Sequence, residues 1–139
     1  MSGRILCRRE STIATVTLAN PGKLNAIDHA MWQELAAIVG ELSDDEEVRC
    51  VIVRGEGDQA FAAGGDIGEF ASKRDTLEHA MAYHAQAGAA LLALFTCRHP
   101  TIALIAARIK ARMPALRIVY GGVFPTYHWH DVLEQEPAI

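Results

Sequence analysis

Apolar and polar positions alternate strictly over one stretch near the N-terminus. From Thr12 to Leu18, Ala14, Val16 and Leu18 fall on one face and Thr15 and Thr17 on the other, the period of a half-buried strand. Arg4–Arg8 is its natural partner across a turn at Glu10-Ser11, and Asn20-Pro21-Gly22 ends it. Met31, Trp32, Leu35, Ile38, Val39 and Leu42 then recur at helical spacing. They predict a helix over Asp28–Glu41 with Asp28 as its N-cap. Val48–Val53 is apolar except at Arg49, the pattern of a strand buried on both faces. A short helix is predicted near Ile67–Ser72, then a long one whose apolar stripe reads Leu77, Ala80, Met81, His84, Gly88, Leu91, Leu92 and Phe95. His79 and His84, five apart, read as ordinary residues of that helix. Arg98-His99-Pro100 stops it, and Thr101–Ile105 reads as a further buried strand. The order β-β-α-β-α-β predicts an α/β fold with crossover helices between neighbouring strands.

The connector Phe61-Ala62-Ala63-Gly64-Gly65-Asp66-Ile67-Gly68-Glu69-Phe70 stands apart from this pattern. From Ala62 to Gly65 no side chain exceeds a methyl group, so a ligand can approach the main chain closely. Asp66 precedes Glu69 by three residues, the spacing of a capping box. Amides at such a helix entry point outward and suit an oxyanion. The plainer reading is a tight strand-to-helix connection. Neither a G-x-G-x-x-G spacing nor a Walker A sequence is present.

The chain has 139 residues, half of them hydrophobic and 22% charged, enough for one globular domain with a core. A net charge of −4 gives no general affinity for nucleic acid. Ser43-Asp44-Asp45-Glu46-Glu47 reads as a solvated connection in which Ser43 and Glu46 cap a short turn. Cys7, Cys50 and Cys97 are odd in number and far apart in apolar settings, which predicts reduced thiols and a cytoplasmic location. No signal peptide and no apolar run long enough for a membrane span is evident.

Three blocks in order carry a family resemblance: Asn20-Pro21-Gly22-Lys23-Leu24-Asn25-Ala26-Ile27-Asp28, Phe61 to Phe70, and His99-Pro100-Thr101-Ile102-Ala103-Leu104-Ile105. Over about residues 4–105 the chain resembles the N-terminal part of the enoyl-CoA hydratase/isomerase (crotonase) superfamily of fatty acid metabolism. The resemblance implies a crotonase-like spiral of β-β-α turns that takes an acyl-CoA thioester. Coenzyme A would enter as part of the substrate, with no tightly bound cofactor and no metal. It also implies that Gly65 supplies one of two backbone donors to the thioester oxyanion. Ala63, Asp66, Ile67 and Gly68 would line the coenzyme A side, with further contacts from Lys23, Asn25 and Ala26. Relatives are oligomers, and a shortened α/β core would self-associate through exposed strand edges and apolar helix faces.

After Ile105 the chain departs from the family. The glycine-rich turn expected there, which brings the second donor and a catalytic glutamate, is replaced by Ala106-Ala107-Arg108-Ile109-Lys110-Ala111-Arg112-Met113-Pro114. Residues 106–139 hold Tyr120, Phe124, Tyr127 and Trp129 and three of the five prolines, without a clear period. The expected division is therefore 1–105, the crotonase-like part, and 106–139, an atypical tail, and the hypothesis for that tail is a frameshift, a deletion or a truncated gene model. Gly121-Gly122 falls too late to replace the turn. Glu134 and Glu136 read as solvated terminal acids, and His128-Trp129-His130 lacks a third metal ligand at a telling spacing. By lineage the chain reads as an enoyl-CoA hydratase or isomerase; the missing glycine and glutamate favour, for this polypeptide alone, an inactive remnant that binds coenzyme A esters or full-length relatives, and the three-block match argues against an unrelated α/β phosphate-binding domain.

Overall fold

The structure is a computed structural model that describes residues 2–104. The chain divides into two units, Met1–Ala103 and Leu104–Ile139, and the fold below is that of the first. Its elements are β1 (Arg4–Glu10), β2 (Ile13–Ala19), α1 (His29–Asp44), β3 (Cys50–Gly55), a 3-10 turn (Ile67–Glu69), α2 (Phe70–Lys73), α3 (Leu77–Thr96) and β4 (Thr101–Ala103). One sheet carries the strands in the order β1-β2-β3-β4. β1 and β2 are antiparallel, with Arg4 opposite Ala19 and Glu10 opposite Ile13. Ser11, at φ 55, begins the two-residue turn between them. β3 runs parallel to β2, with Val16 opposite Val53, and β4 runs parallel to β3. The α1 crossover makes the first parallel pairing, and the connector with α2 and α3 makes the second.

The alternation in β2 is observed as expected, with Ala14, Val16 and Leu18 all buried. They meet Met31, Leu35 and Val39 of α1 and Val51 and Val53 of β3 in one core. Asp28 caps α1, accepting a hydrogen bond from the Met31 N–H at 2.9 Å. Its second oxygen accepts from the Gly3 N–H at 2.6 Å, so one buried carboxylate ties the chain's start to the helix.

Five expectations are corrected. β3 alternates between buried and half-buried positions instead of being covered on both faces, and Val48 is buried outside the strand. β4 is short and exposed where it is described, as an edge strand paired on one side only. α1 extends through Ser43 to Asp44, so Ser43 caps nothing there, and Arg9 bridges Asp45 and Glu47 of the acidic run. Cys7 is exposed on β1 instead of lying in an apolar setting, although all three described cysteines are free thiols.

The fifth correction concerns α3, which is rotated from the orientation its larger apolar residues suggested. Leu77, Met81, Leu91, Leu92 and Phe95 are exposed, Leu77 at 79% and Phe95 at 77%. The inward face is instead Ala80, Tyr83, Ala87, Ala90, Leu94 and Cys97, at spacings of three and four. Ala90 belongs to the core, with Ala93, Leu94 and Cys97 packed against it. Small side chains let α3 lie close along α1.

Candidate functional site

Two loops meet at the end of β2 and β3. The first, Asn20 to Asp28, turns sharply: Gly22, Leu24 and Asn25 all have positive φ, at 79, 50 and 57°. Asn25 is suited to that conformation and also fastens the loop. Its side-chain amide donates to the Glu56 and Ala60 carbonyls at 3.0 and 2.9 Å, and its Oδ1 accepts from the Asn20 N–H at 3.3 Å. Asn20 Nδ2 donates to the Ala26 carbonyl at 2.7 Å. Gly55 is obligatory beneath this junction, since a Cβ there would run into the Ala60 and Phe61 carbonyls.

The second loop carries the open backbone. The Ile27 N–H donates to the Gly64 carbonyl at 2.7 Å, and the Ile27 carbonyl accepts from the Asp66 N–H at 2.9 Å. This is one parallel bridge, Ile27 to Gly65. Because Ile27 bonds the residues on either side of Gly65, the N–H and C=O of Gly65 itself point the opposite way. No acceptor among the described residues takes up the Gly65 amide. Gly64, at φ 95°, makes the turn before it, a conformation side chains rarely adopt. Gly65 is needed for closeness: a Cβ would lie 2.9 Å from the Tyr83 hydroxyl.

The capping box forms differently from its spacing. Asp66 Oδ1 accepts from the Gly68 N–H at 2.9 Å, two residues on, because the segment opens as a 3-10 turn. Glu69 does not return to Asp66, whose N–H is held by Ile27. Its carboxylate accepts from the His29 N–H at 2.6 Å instead, linking the turn to the first residue of α1. The helical pieces are too short for a strong macrodipole, so the site's donor is the individual Gly65 amide.

Of the residues the resemblance pointed to, Lys23 and Asp66 are brought into contact. Lys23 Nζ donates to Asp66 Oδ2 at 2.5 Å, with the lysine half exposed and the carboxylate buried. Asn25 and Ala26 are buried and their loop is held from within, whereas Ala63, Ile67 and Gly68 are exposed beside Gly65. The hydrogen bond from Lys23 holds the Asp66 carboxyl below the usual carboxylate range, against the opposing effect of burial, with help from the Gly68 N–H. The same bond to Asp66 raises the Lys23 ammonium above its ordinary value. Asp66 therefore contributes stability above about pH 4, lost as acid protonates it, and Lys23 below about pH 10, lost as base removes its proton. Lys23→Met should lower the melting temperature at neutral pH and flatten its fall at both extremes. Thermal melts at acid, neutral and alkaline pH read this directly.

Sequence reasoning missed the support behind Gly65. Tyr83 is 2% exposed, and its hydroxyl accepts a hydrogen bond from Trp32 Nε1 at 3.1 Å. The His29 ring stacks against it with centroids 6.1 Å apart. The Arg74 guanidinium lies 3.8 Å from the Phe70 ring centre and 4.1 Å from that of Tyr83, a cation–π clamp. The available signal was the alanine stripe of α3, in which Tyr83 is the one large residue before Leu94. His79 Nδ1 is bonded to Asp75 Oδ1 at 2.6 Å, and His84 sits edge-on to Tyr83.

Among the described residues, no group of three or more His, Cys, Asp or Glu could hold a metal ion. No described helix is long and apolar enough to cross a membrane. Gly121-Gly122, His128-Trp129-His130, Glu134, Glu136 and the end of the fourth predicted strand at Ile105 lie outside the described residues.

A mixed sheet with helical crossovers, carrying an outward-facing amide on a small-residue loop, places this unit in the α/β class. Comparison with known proteins makes it specific. The enoyl-CoA hydratase/isomerase family profile matches residues 8–110. A probable enoyl-CoA hydratase of Mycobacterium bovis is 36% identical over 102 residues, 73% of this chain and 38% of that protein. The crystal structure of an enoyl-CoA hydratase/carnithine racemase from Magnetospirillum magneticum superposes with a TM-score of 0.69 at 42% identity, covering 71% of this chain and 37% of that one. The chain belongs to the enoyl-CoA hydratase/isomerase family, and its described part has the crotonase fold.

The chain spans 38% of the Mycobacterium relative and 28% of a short-chain-enoyl-CoA hydratase of Clostridium acetobutylicum. A different likeness links 44 residues, 32% of this chain, at 52% identity to 9% of an anaerobic magnesium-protoporphyrin IX monomethyl ester cyclase of Synechocystis.

Proposed function

We propose that this chain binds acyl-CoA thioesters, with the thioester oxygen on the Gly65 amide, as an enoyl-CoA hydratase or isomerase does. The observation that carries the reading is the orientation of that amide. The Ile27 bridge turns it away from Ile27, and no described group accepts from it. The small residues around it leave a thioester room to reach the backbone. A fixed amide needs little reorganisation as negative charge develops on the oxygen. Ala63, Ile67 and Gly68 are exposed alongside, where coenzyme A would lie.

Hydration further requires a base to activate water and an acid to protonate the α carbon. A second reading, binding without turnover, is favoured by the state of the nearest carboxylates. Asp66 is engaged by Lys23 and Gly68, and Glu69 by the His29 N–H. Both are structural where they stand. Titration with crotonyl-CoA, followed by calorimetry and by the loss of the enoyl absorbance, separates the readings. Saturable binding without loss of absorbance is expected for this polypeptide. Measurable hydration would sink the inactive reading, and absence of binding would sink both.

A further inference from the structure

α3 turns an apolar face outward along its whole length, about 30 Å for 20 residues. Leu77, Met81, Leu91, Leu92 and Phe95 are each 57–79% exposed. Glu78 is the single Asp, Glu, Lys or Arg in the helix. A helix on a protein surface is ordinarily polar on its solvent side. The five side chains expose on the order of 700 Å², near the roughly 800 Å² that each partner contributes to a standard interface.

The spacing of this outward stripe selects what covers it. Leu77, Met81, His84, Gly88, Leu91 and Phe95 follow one another at intervals of 4, 3, 4, 3 and 4, the repeat of helices that interlock side by side. The series of intervals is the same in both directions. Laid antiparallel on a second copy, it sets Leu77 against Phe95, Met81 against Leu91 and His84 against Gly88. The largest polar side chain of the stripe then meets the residue without a side chain. A parallel pair would instead press the two His84 rings together and leave the two glycines facing a gap. Antiparallel helices also bring opposite ends of their dipoles together.

Gly88 supplies a second observation. Glycine weakens the interior of a helix, and the fold of the single chain gives no reason for it here: a Cβ at Gly88 meets no atom within 4 Å. His84 is exposed too, one turn away, with its ring edge-on to Tyr83. An open glycine and an exposed ring four residues apart are the hole and the knob of one contact when a second copy is present. We propose that two copies of this chain pair through α3, antiparallel and about a two-fold axis, with His84 of each seated on Gly88 of the other. The pairing is independent of what the Gly65 amide holds.

Sedimentation velocity of the full chain over a range of concentrations should show a monomer–dimer equilibrium. Met81→Lys and Leu91→Glu, both at exposed positions, should each weaken it by more than about ten-fold without changing the circular dichroism. Mixed in equal amounts, the two variants should pair again. The introduced lysine of one then faces the introduced glutamate of the other, while Leu91 and Met81 still meet at the symmetric position. Gly88→Leu should weaken the dimer yet raise the melting temperature of the monomer, since it fills no space inside the chain. A chain that stays monomeric at every concentration overturns the inference, as does an assembly larger than a dimer. A dimer that survives both charged variants overturns the assignment to α3, and variants that do not pair on mixing overturn the antiparallel register. A dimer indifferent to Gly88→Leu overturns the contact between His84 and Gly88.

Discussion

Gly65→Pro is expected to weaken binding of acyl-CoA thioesters by up to about a hundred-fold, and to lower any turnover at least as much. Proline has no N–H, so the one outward donor of the loop disappears while the Ile27 bonds to Gly64 and Asp66 involve other atoms. Loss of a single oxyanion donor typically costs about 3 kcal/mol, or about a hundred-fold or more in rate. Proline also restricts the residue before it to extended conformations, and Gly64 sits at φ 95°, so some strain accompanies the loss. Gly65→Ala is the companion that separates the two effects. It keeps the amide but drives a methyl group to 2.9 Å from the Tyr83 hydroxyl, closer than such atoms tolerate. The alanine variant should melt earlier yet still titrate with ligand, whereas the proline variant should titrate only at far higher ligand concentration. Ligand titration beside thermal melts of both proteins provides the check. Retained affinity in the proline variant would remove Gly65 from the site.

Tyr83→Ala should cause the largest loss of stability of any single change in α3. Truncating a large buried aromatic costs about 3–5 kcal/mol, a large part of the roughly 5–15 kcal/mol that holds an ordinary domain together. Three contacts go with the ring: the acceptor for Trp32 Nε1, the stack with His29, and one face of the Arg74 clamp. Tyr83→Phe isolates the first and should cost about 1 kcal/mol. Urea unfolding of both variants measures this as shifts of the midpoint at constant slope. A Tyr83→Ala midpoint near that of the parent would mean that α3 is held elsewhere.

The core of the fold was legible because β2 and α1 each bury one face. Ala14, Val16 and Leu18 repeat every second residue, and Met31, Leu35 and Val39 every fourth. Those periods leave one solution. The connector was legible as open backbone because Ala62 to Gly65 lack side chains that could cover it. What the Asp66–Glu69 spacing could not disclose was the competition for their groups. Ile27 holds the Asp66 N–H and α1 presents the His29 N–H to Glu69, and both partners lie about forty residues away in the chain. The pairing of Lys23 with Asp66 was equally out of sight, because 43 residues separate the two in the chain. The tyrosine behind Gly65 stayed hidden because α3 is apolar almost all round, so no period selects a face.

That last property has a consequence for how the helix finds its place. Leu77, Met81, Leu91, Leu92 and Phe95 offer more hydrocarbon than the alanines that are buried. Hydrophobic burial alone would turn α3 the other way. Two things oppose the inverted docking: the close approach to α1 that only the alanine side permits, and the directional bond from Trp32 to Tyr83. The helix is therefore locally frustrated in its rotation about its own axis. One phenol hydroxyl acts as the key that admits a single angle.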